Sequence, residues 1–409
     1  MAENADFAEF VEKSNLVFIG PQPESMRLMG DKLSARNTAR KQGVPTVPGV
    51  YEKITGIHEA KKAATEIGYP LLIKAAAGGG GKGMRLVLSD SELKSSFERA
   101  ISEVHKSFGD PSVYIEKFIP QAKHIEVQVL GDGHGNVVHL YERECSVQRR
   151  YQKLIEETPA PLLSGRMRKE MGEAAVAIAQ ACGYCSAGTV EFIYDVDEER
   201  YYFLEMNTRI QVEHPITEMT TGIDLVREQI RIAGGEKLSF AQGDIHPRGA
   251  ALECRIYAED FDREFMPSTG QIEGLILPSG PGVRVDSGIS RGDFITSHYD
   301  PLLLKLIVWD RDRPCALVRM RRALEETWVV GVATTVGFHL SALVDDTFVR
   351  GDQTTDFVRR LPRQEPSPEQ VEILAVAAAL KRAGQMQNLR SALSLAAAEQ
   401  EQYWKWASE

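Results

Sequence analysis

The sequence predicts an α+β fold, and three observations carry that prediction. Residues 46–118 alternate helical and extended patterns. From His124 onward the extended runs pair up as hairpins, and residues 248–310 read as short strands broken by Gly and Pro. Mixed order of this kind builds an α/β unit followed by antiparallel sheet.

Taken in order, residues 5–13 read as a helix and LVFIG at 16–20 as a short apolar strand. A lone strand is not stable, so this one requires partners that are not upstream. A helix is expected over 25–43, ending at Gly43, and another near 57–67. Strands follow at 69–75, 84–88 and 112–119, with a helix over 91–107 between the last two. GDGHG at 131–135 is a strong turn signal between extended runs 124–130 and 136–142. Helix 165–183 leads to a second hairpin, then come helices 222–233, 312–327 and 333–346. Beyond a Pro-rich linker, Ser367-Pro368-Glu369-Gln370 is a helix-start signal for an Ala-rich tail ending in YWKW at 403–406. That tail reads either as a solvated helix or as a docking segment anchored by Trp404 and Trp406.

Bulk properties narrow the function. A chain of 409 residues is long enough for two or three domains, with 43% hydrophobic and 26% charged residues. A net charge of −10 argues against a nucleic-acid partner. The longest apolar run, at 373–380, is far short of a membrane span. Glu3, Asp6, Glu9 and Glu12 rule out a signal peptide at the start, which points to a cytoplasmic protein. CGYC at 182–185 has no second ligand pair nearby and closes an apolar helix, so it is read as structural.

Three constellations carry chemistry. In EMNTRIQVEHP, 205–215, polar side chains fall at every second position: Glu205, Asn207, Arg209, Gln211 and Glu213. An extended chain sends them to one face. The hairpin before it turns about Glu198, which places residue i opposite 396 − i and Glu191 opposite Glu205. Two carboxylates that close repel unless a cation lies between them. Oxygen ligands without His or Cys favour Mg2+ or Mn2+, with Asn207 adding an amide oxygen. The competing reading is two solvated glutamates.

The second constellation is Lys74 followed by four glycines, Gly78 to Gly81, and Lys82. A strand-loop-strand setting suits a flap over phosphates, though a flexible linker fits equally. It is not a Walker loop, since Gly83 follows Lys82. The third is a basic knot, RECSVQRRYQK at 143–153, which is either an anion site or a solvated turn.

In order along the chain, GPQPESMRLMGDK, GGGGKGM, CSVQRR, EMNTRIQVEHP, FMPSTG and GVRVDSG resemble the biotin carboxylase component of biotin-dependent carboxylases, an ATP-grasp fold. The resemblance spans about residues 4 to 360, and RIYAED with YDPLLLKLIV leans towards the acyl-CoA carboxylase branch. It implies a remnant of an N-terminal domain over 1–35 and an ATP-grasp domain over 36–234 with a lid at 46–118. A biotin carboxylase C-terminal domain over 235–361 and a linker with helical tail over 362–409 complete the expected division.

The family makes carboxyphosphate from ATP and bicarbonate and then carboxylates biotin. By resemblance, Lys32, Lys74, Met84, His124, Gln148 and Tyr151 contact ATP, with Gly80 and Gly81 over its phosphates. Glu116, Lys117, Phe118 and Ile119 form the adenine hinge. Glu191, Glu205 and Asn207 hold two metal ions; Arg209, Gln211 and Val212 hold bicarbonate, with Lys153 near. Glu213 is the implied base and Arg284 the residue that stabilises biotin's ureido enolate. Fully extended, Glu205 to Glu213 would span about 26 Å at ~3.3 Å per residue; the implied γ-phosphate beside bicarbonate needs far less, so the strand is expected to end near Thr208.

Three departures stand out. Tyr151 replaces the usual His. There is no AMKM-like biotinylation motif, so biotin must arrive on a separate biotin carboxyl carrier protein, with carboxyltransferase subunits downstream. Most of the family's first domain is absent, which puts its homodimer in question. The competing readings are a non-catalytic fragment that binds nucleotide or partners, and another ATP-grasp carboxylate ligase; the latter does not account for Arg284 in GVRVDSG.

Overall fold

The structure, a computed structural model, describes residues 1–75, 84–108 and 112–362, together with Glu372, Ala375, Val376 and Ala379. The chain divides into two compact units, Met1–Leu361 and Pro362–Glu409. In the second, the four described residues after Pro362 are helical; the rest of the predicted tail, including YWKW, lies outside the described residues.

The first helix, Ala5–Lys13, is capped by Asn4, whose side chain accepts from the Phe7 N–H at 2.8 Å. The strand expected at 16–20 does not form. Leu16, Val17 and Ile19 are exposed, and no described residue pairs with them. A ladder needs a neighbour, and apolar alternation alone does not supply one. The single helix expected over 25–43 is two, Pro23–Gly30 and Lys32–Lys41. Asp31 breaks it by accepting from the Ser34 N–H and starting a new helix.

The region expected to be a lid holds a four-stranded antiparallel sheet in the order Gly49–Ile54, Val113–Lys117, Leu71–Ala75, Arg85–Val87. Helices Ile57–Ile67 and Asp90–Phe108 cover one face, burying Ala60, Ala64, Leu93, Phe97 and Val104 on Leu71, Ile73, Val113 and Ile115. The edge strand Gly49–Ile54 was not expected, because Tyr51, Glu52 and Lys53 interrupt its apolar alternation.

The body is one eight-stranded antiparallel sheet. Its order is Val283–Ser287, Leu302–Asp310, Ala250–Tyr257, Gln152–Thr158, Val137–Arg149, Ala122–Gly131, Ser186–Asp195, Arg200–Asn207. Strands from before and after residue 235 therefore share one ladder, with Glu253 opposite Glu156. Helix Gly165–Ala181 lays Met171, Ala175 and Ile178 against Ile125, Val127 and Phe192. Helix Arg313–Glu325, with Phe338 and Phe348, covers the other end. Among the described residues, no helix is long and apolar enough to cross a membrane.

Candidate active site

The Glu191–Glu205 pairing predicted from the hairpin is present. Its route is not the expected one. Near the turn the pairs are Asp195 with Arg200 and Phe192 with Phe203, one residue tighter than a turn about Glu198 gives. Leu204 is an extra residue that restores the register, so that Glu191 faces Glu205 and Thr189 faces Asn207.

The row continues where sequence could not follow it. Glu126 lies directly opposite Glu191 on the neighbouring strand, and Arg143 lies opposite Glu126. Residues directly opposite share a face. Four strands thus present Arg143, Glu126, Glu191 and Glu205 in line. Ligand atoms of His124, Glu126 and Glu191 fall within 4.8 Å of one another. Glu126 was not singled out, because pairing 122–131 with 186–195 joins strands far apart in sequence; Arg143 was read only as part of the basic knot.

Lys153 sits over this row. Its Nζ donates to Glu191 Oε1 at 3.0 Å, Gln211 Oε1 at 3.0 Å and Glu213 Oε1 at 2.6 Å, and also to Glu126. Burial would lower the lysine's pKa, but Glu126, Glu191 and Glu213 hold it well above the usual range. Glu191 is the mirror case. Burial raises its carboxyl, and Lys153 with His124 at 3.2 Å brings it well below the usual value. Glu205 is pushed up by burial and by the charge of Glu191, with Lys32, His124 and Lys74 opposing. The two carboxyls of the pair are pushed in opposite directions, Glu191 down and Glu205 up. An all-oxygen set of Glu191, Glu205 and Asn207 around that imbalance suits a hard divalent cation.

The strand ends at Asn207, as the span argument requires, and the chain turns into helix His214–Thr221. The turn gathers Arg209, Gln211 and Glu213 over the carboxylate row instead of stringing them along a strand. Asn207 donates to Glu191 Oε1 at 2.9 Å and accepts from Arg209 Nη2 at 3.1 Å. Arg209 Nε and the Thr208 N–H both donate to Glu3, each at 3.0 Å. Arg209 is half-buried and aimed by these bonds rather than loose in solvent. Glu213 is buried at the helix N-cap position. Burial raises its carboxyl, but Lys153, Arg255 and Arg143 keep it below the usual range. Arg255 bridges Glu156 Oε1 at 2.5 Å and Glu213 Oε2 at 2.9 Å; in the sequence it stood only as the first residue of RIYAED, with no role at the site.

On the lid side, Glu116 is buried between Lys74 and Arg36, whose Nη2 donates to it at 3.0 Å. Lys32 is half-buried, and burial lowers its pKa against the pull of Glu205. In the expected hinge, the Lys117 N–H donates to Pro48 O at 2.8 Å and the Phe118 N–H to Pro70 O at 3.1 Å, while Ile119 is buried. Gln148 stands opposite Lys153 at a hairpin whose turn is Arg150 and Tyr151, both at positive φ. Such turns normally carry Gly or Asn, so this one is strained. Tyr151 Oη reaches Met84 Sδ at 2.9 Å. Gly80 and Gly81 lie outside the described residues.

The basic knot is neither a solvated turn nor one exposed anion site. Arg143 is fully buried, bonded to Glu126, Gln128, Thr189 and Thr217, and Arg149 packs on the ring of Phe265. Cys182 and Cys185 are free thiols. Arg284 lies in strand Val283–Ser287 beside a cavity shared with His214, Glu218 and Arg227. Asp286 accepts from its Nε at 2.8 Å and Nη2 at 3.0 Å, and Glu218 from Nη1 at 2.6 Å.

A small antiparallel sheet and a second, larger one that carries a row of carboxylates with lysines around it make the ATP-grasp fold. Residues 31–241 match the ATP-binding domain of the carbamoyl-phosphate synthase L chain, and residues 253–360 match the biotin carboxylase C-terminal domain. Biotin carboxylase 1 of Bacillus subtilis is 51% identical over 358 residues, covering 88% of this chain and 80% of that protein. A pyruvate carboxylase subunit of Methanothermobacter thermautotrophicus is 50% identical over 358 residues, covering 88% and 72%. Among solved structures, the biotin carboxylase domain of Hydrogenobacter thermophilus 2-oxoglutarate carboxylase, with MgADP, ADP and bicarbonate, has a TM-score of 0.85 at 47% identity and covers 89% of this chain and 81% of that one. Campylobacter jejuni biotin carboxylase in a β,γ-ATP complex has a TM-score of 0.84 at 45% identity, covering 88% and 80%. The chain belongs to the biotin carboxylase family of ATP-dependent ligases.

Proposed function

We propose that this chain carboxylates biotin borne on a separate carrier protein, consuming ATP and bicarbonate by way of carboxyphosphate. The observation that supports this best is Lys153, whose ammonium joins Glu191, Gln211 and Glu213 and so links a cation site to the loop that carries Arg209.

In this reading ATP lies between lid and body. Lys32, Lys74, Met84, His124, Gln148 and Tyr151 contact it, Glu116 to Ile119 receive its base, and Gly80 and Gly81 cover its phosphates. Glu191, Glu205 and Asn207 would hold Mg2+ or Mn2+, which when bound neutralises phosphate charge during transfer. Bicarbonate sits among Arg209, Gln211, Val212 and Lys153. Two anions must meet for phosphoryl transfer, and these cations stabilise charge where it develops.

Glu213 then takes the proton of bicarbonate. In the free protein Lys153 and Arg255 hold its proton affinity down. An incoming anion that draws on the charge of Lys153 raises that affinity toward the range useful to a base. Arg284 keeps one N–H on each terminal nitrogen beyond its bonds to Asp286 and Glu218. Those two donors can stabilise the ureido oxygen of biotin as an enolate.

RIYAED and YDPLLLKLIV support an acyl-CoA carboxylase, whose transferase subunits would receive the carboxyl group. ATP hydrolysis with and without bicarbonate and free biotin tests the half-reaction: dependence on both supports it, and nucleotide binding without turnover sinks it. Reconstitution with a carrier and transferases then asks whether an acyl-CoA or a keto acid is carboxylated; a keto acid would exclude the acyl-CoA assignment.

A further inference from the structure

Lys305 belongs to none of the roles above. It sits in strand Leu302–Asp310, directly opposite Asp286 on one neighbouring strand and Arg255 on the other. Its side chain is only 12% exposed. Its Nζ donates to the backbone oxygen of Val212 at 2.9 Å and pairs with Asp286 Oδ2 at 3.1 Å. Asp286 in turn takes both Nε and Nη2 of Arg284. Arg255, the neighbour of Lys305 across the ladder, holds Glu213. Two adjacent cations of one sheet therefore grip consecutive residues, 212 and 213, of the loop that carries Arg209 and Gln211.

We propose that Lys305 is a positioning residue that ties the loop 209–213 to Arg284 through Asp286, so that the bicarbonate and biotin sites are held in one register. The inference rests on the reading of function above. A single ammonium that bonds both a loop carbonyl and the carboxylate behind Arg284 fixes the separation of the two. An ion pair placed only to satisfy Asp286 would not need Val212. The carboxyl of Asp286 is raised by burial but held below its usual range by Arg284 and Lys305, so it stays ionised as the link requires.

The test compares the full chain with its Lys305→Met and Lys305→Arg variants. Lys305→Met should raise the KM for bicarbonate about ten- to a hundredfold, the range for a lost hydrogen bond to a charged group. The KM for ATP should stay unchanged, and less carboxybiotin should form per ATP consumed. Lys305→Arg, which can still reach both partners, should restore part of that coupling. An unchanged KM for bicarbonate, or equal rises in both constants, overturns the proposal. Hydrogen exchange separates this outcome from failure of the function itself. If the wild-type chain shows no bicarbonate-dependent turnover, the functional reading fails, and amide exchange alone decides the anchoring role. Faster exchange confined to 208–214 in Lys305→Met supports it; unchanged exchange, or faster exchange everywhere, refutes it.

Discussion

Replacing Lys153 with Met tests the electrostatic centre of the site most directly. The ammonium contacts Glu126, Glu191 and Glu213, and all three carboxylates are buried. Removing it leaves Arg143 and Arg255 as the guanidinium partners of Glu126 and Glu213, while Glu191 keeps His124 and the neutral amides of Asn207 and Gln211. Breaking a buried ion pair from one side costs about 3–5 kcal/mol. Unfolding entropy near 60 °C is about 2.1 cal/mol/K per residue. For the unit Met1–Leu361 that is about 0.8 kcal/mol/K, so Tm should fall by about 4–7 °C without divalent ions. A cation bound at Glu191 and Glu205 replaces the lost charge, so Mg2+ should raise the Tm of the variant more than that of the wild type. Scanning calorimetry with EDTA and with Mg2+ reads both numbers. A Tm unchanged in EDTA would refute the view that Lys153 compensates this row, and an equal Mg2+ effect in both proteins would refute the placing of the cation there.

Three further outcomes are expected. Arg284→Ala should lower biotin carboxylation far more than bicarbonate-dependent ATP hydrolysis; equal loss of the two, measured side by side, would count against its role at biotin. The raised pKa of Glu205 means that a proton competes with any cation there, so Mn2+ affinity measured by calorimetry should rise with pH, and Glu205→Gln should flatten that dependence. His339 is buried with its Nε2 at 2.8 Å from Arg255 O, and burial brings its pKa from 6.5 down to about 4. A depressed folded value means that its contribution is present above pH 6.5 and is lost as pH falls towards 4, by about 3 kcal/mol. Urea unfolding across that window should lose this slope in His339→Gln.

Much of the site was legible because its residues lie close in sequence. Glu191 and Glu205 flank one turn, so a hairpin register could be counted. The count succeeded although the turn is tighter than assumed, because the bulge at Leu204 shifts the pairing back by one. The strand end near Thr208 followed from the length of an extended chain once the resemblance put Glu205 and Glu213 at one site. What escaped was the edge strand Gly49–Ile54, whose half-exposed surface lacks clean alternation, and the failure of 16–20 to become a strand. Alternation shows which residues can pair, not whether a partner is there.

The amino-acid sequence by itself determined the family, the hairpin that opposes two carboxylates, and the turn that brings Arg209, Gln211 and Glu213 back toward them. Only the tertiary structure decided which charges meet across the sheet: Glu126 beside Glu191, Arg255 on Glu213, Lys305 between Val212 and Asp286. The reason is range. A turn fixes the pairing of strands a few residues apart, while strands separated by a helix or by half the chain are paired by the packing of the whole core. The protonation states of the buried groups follow from that packing.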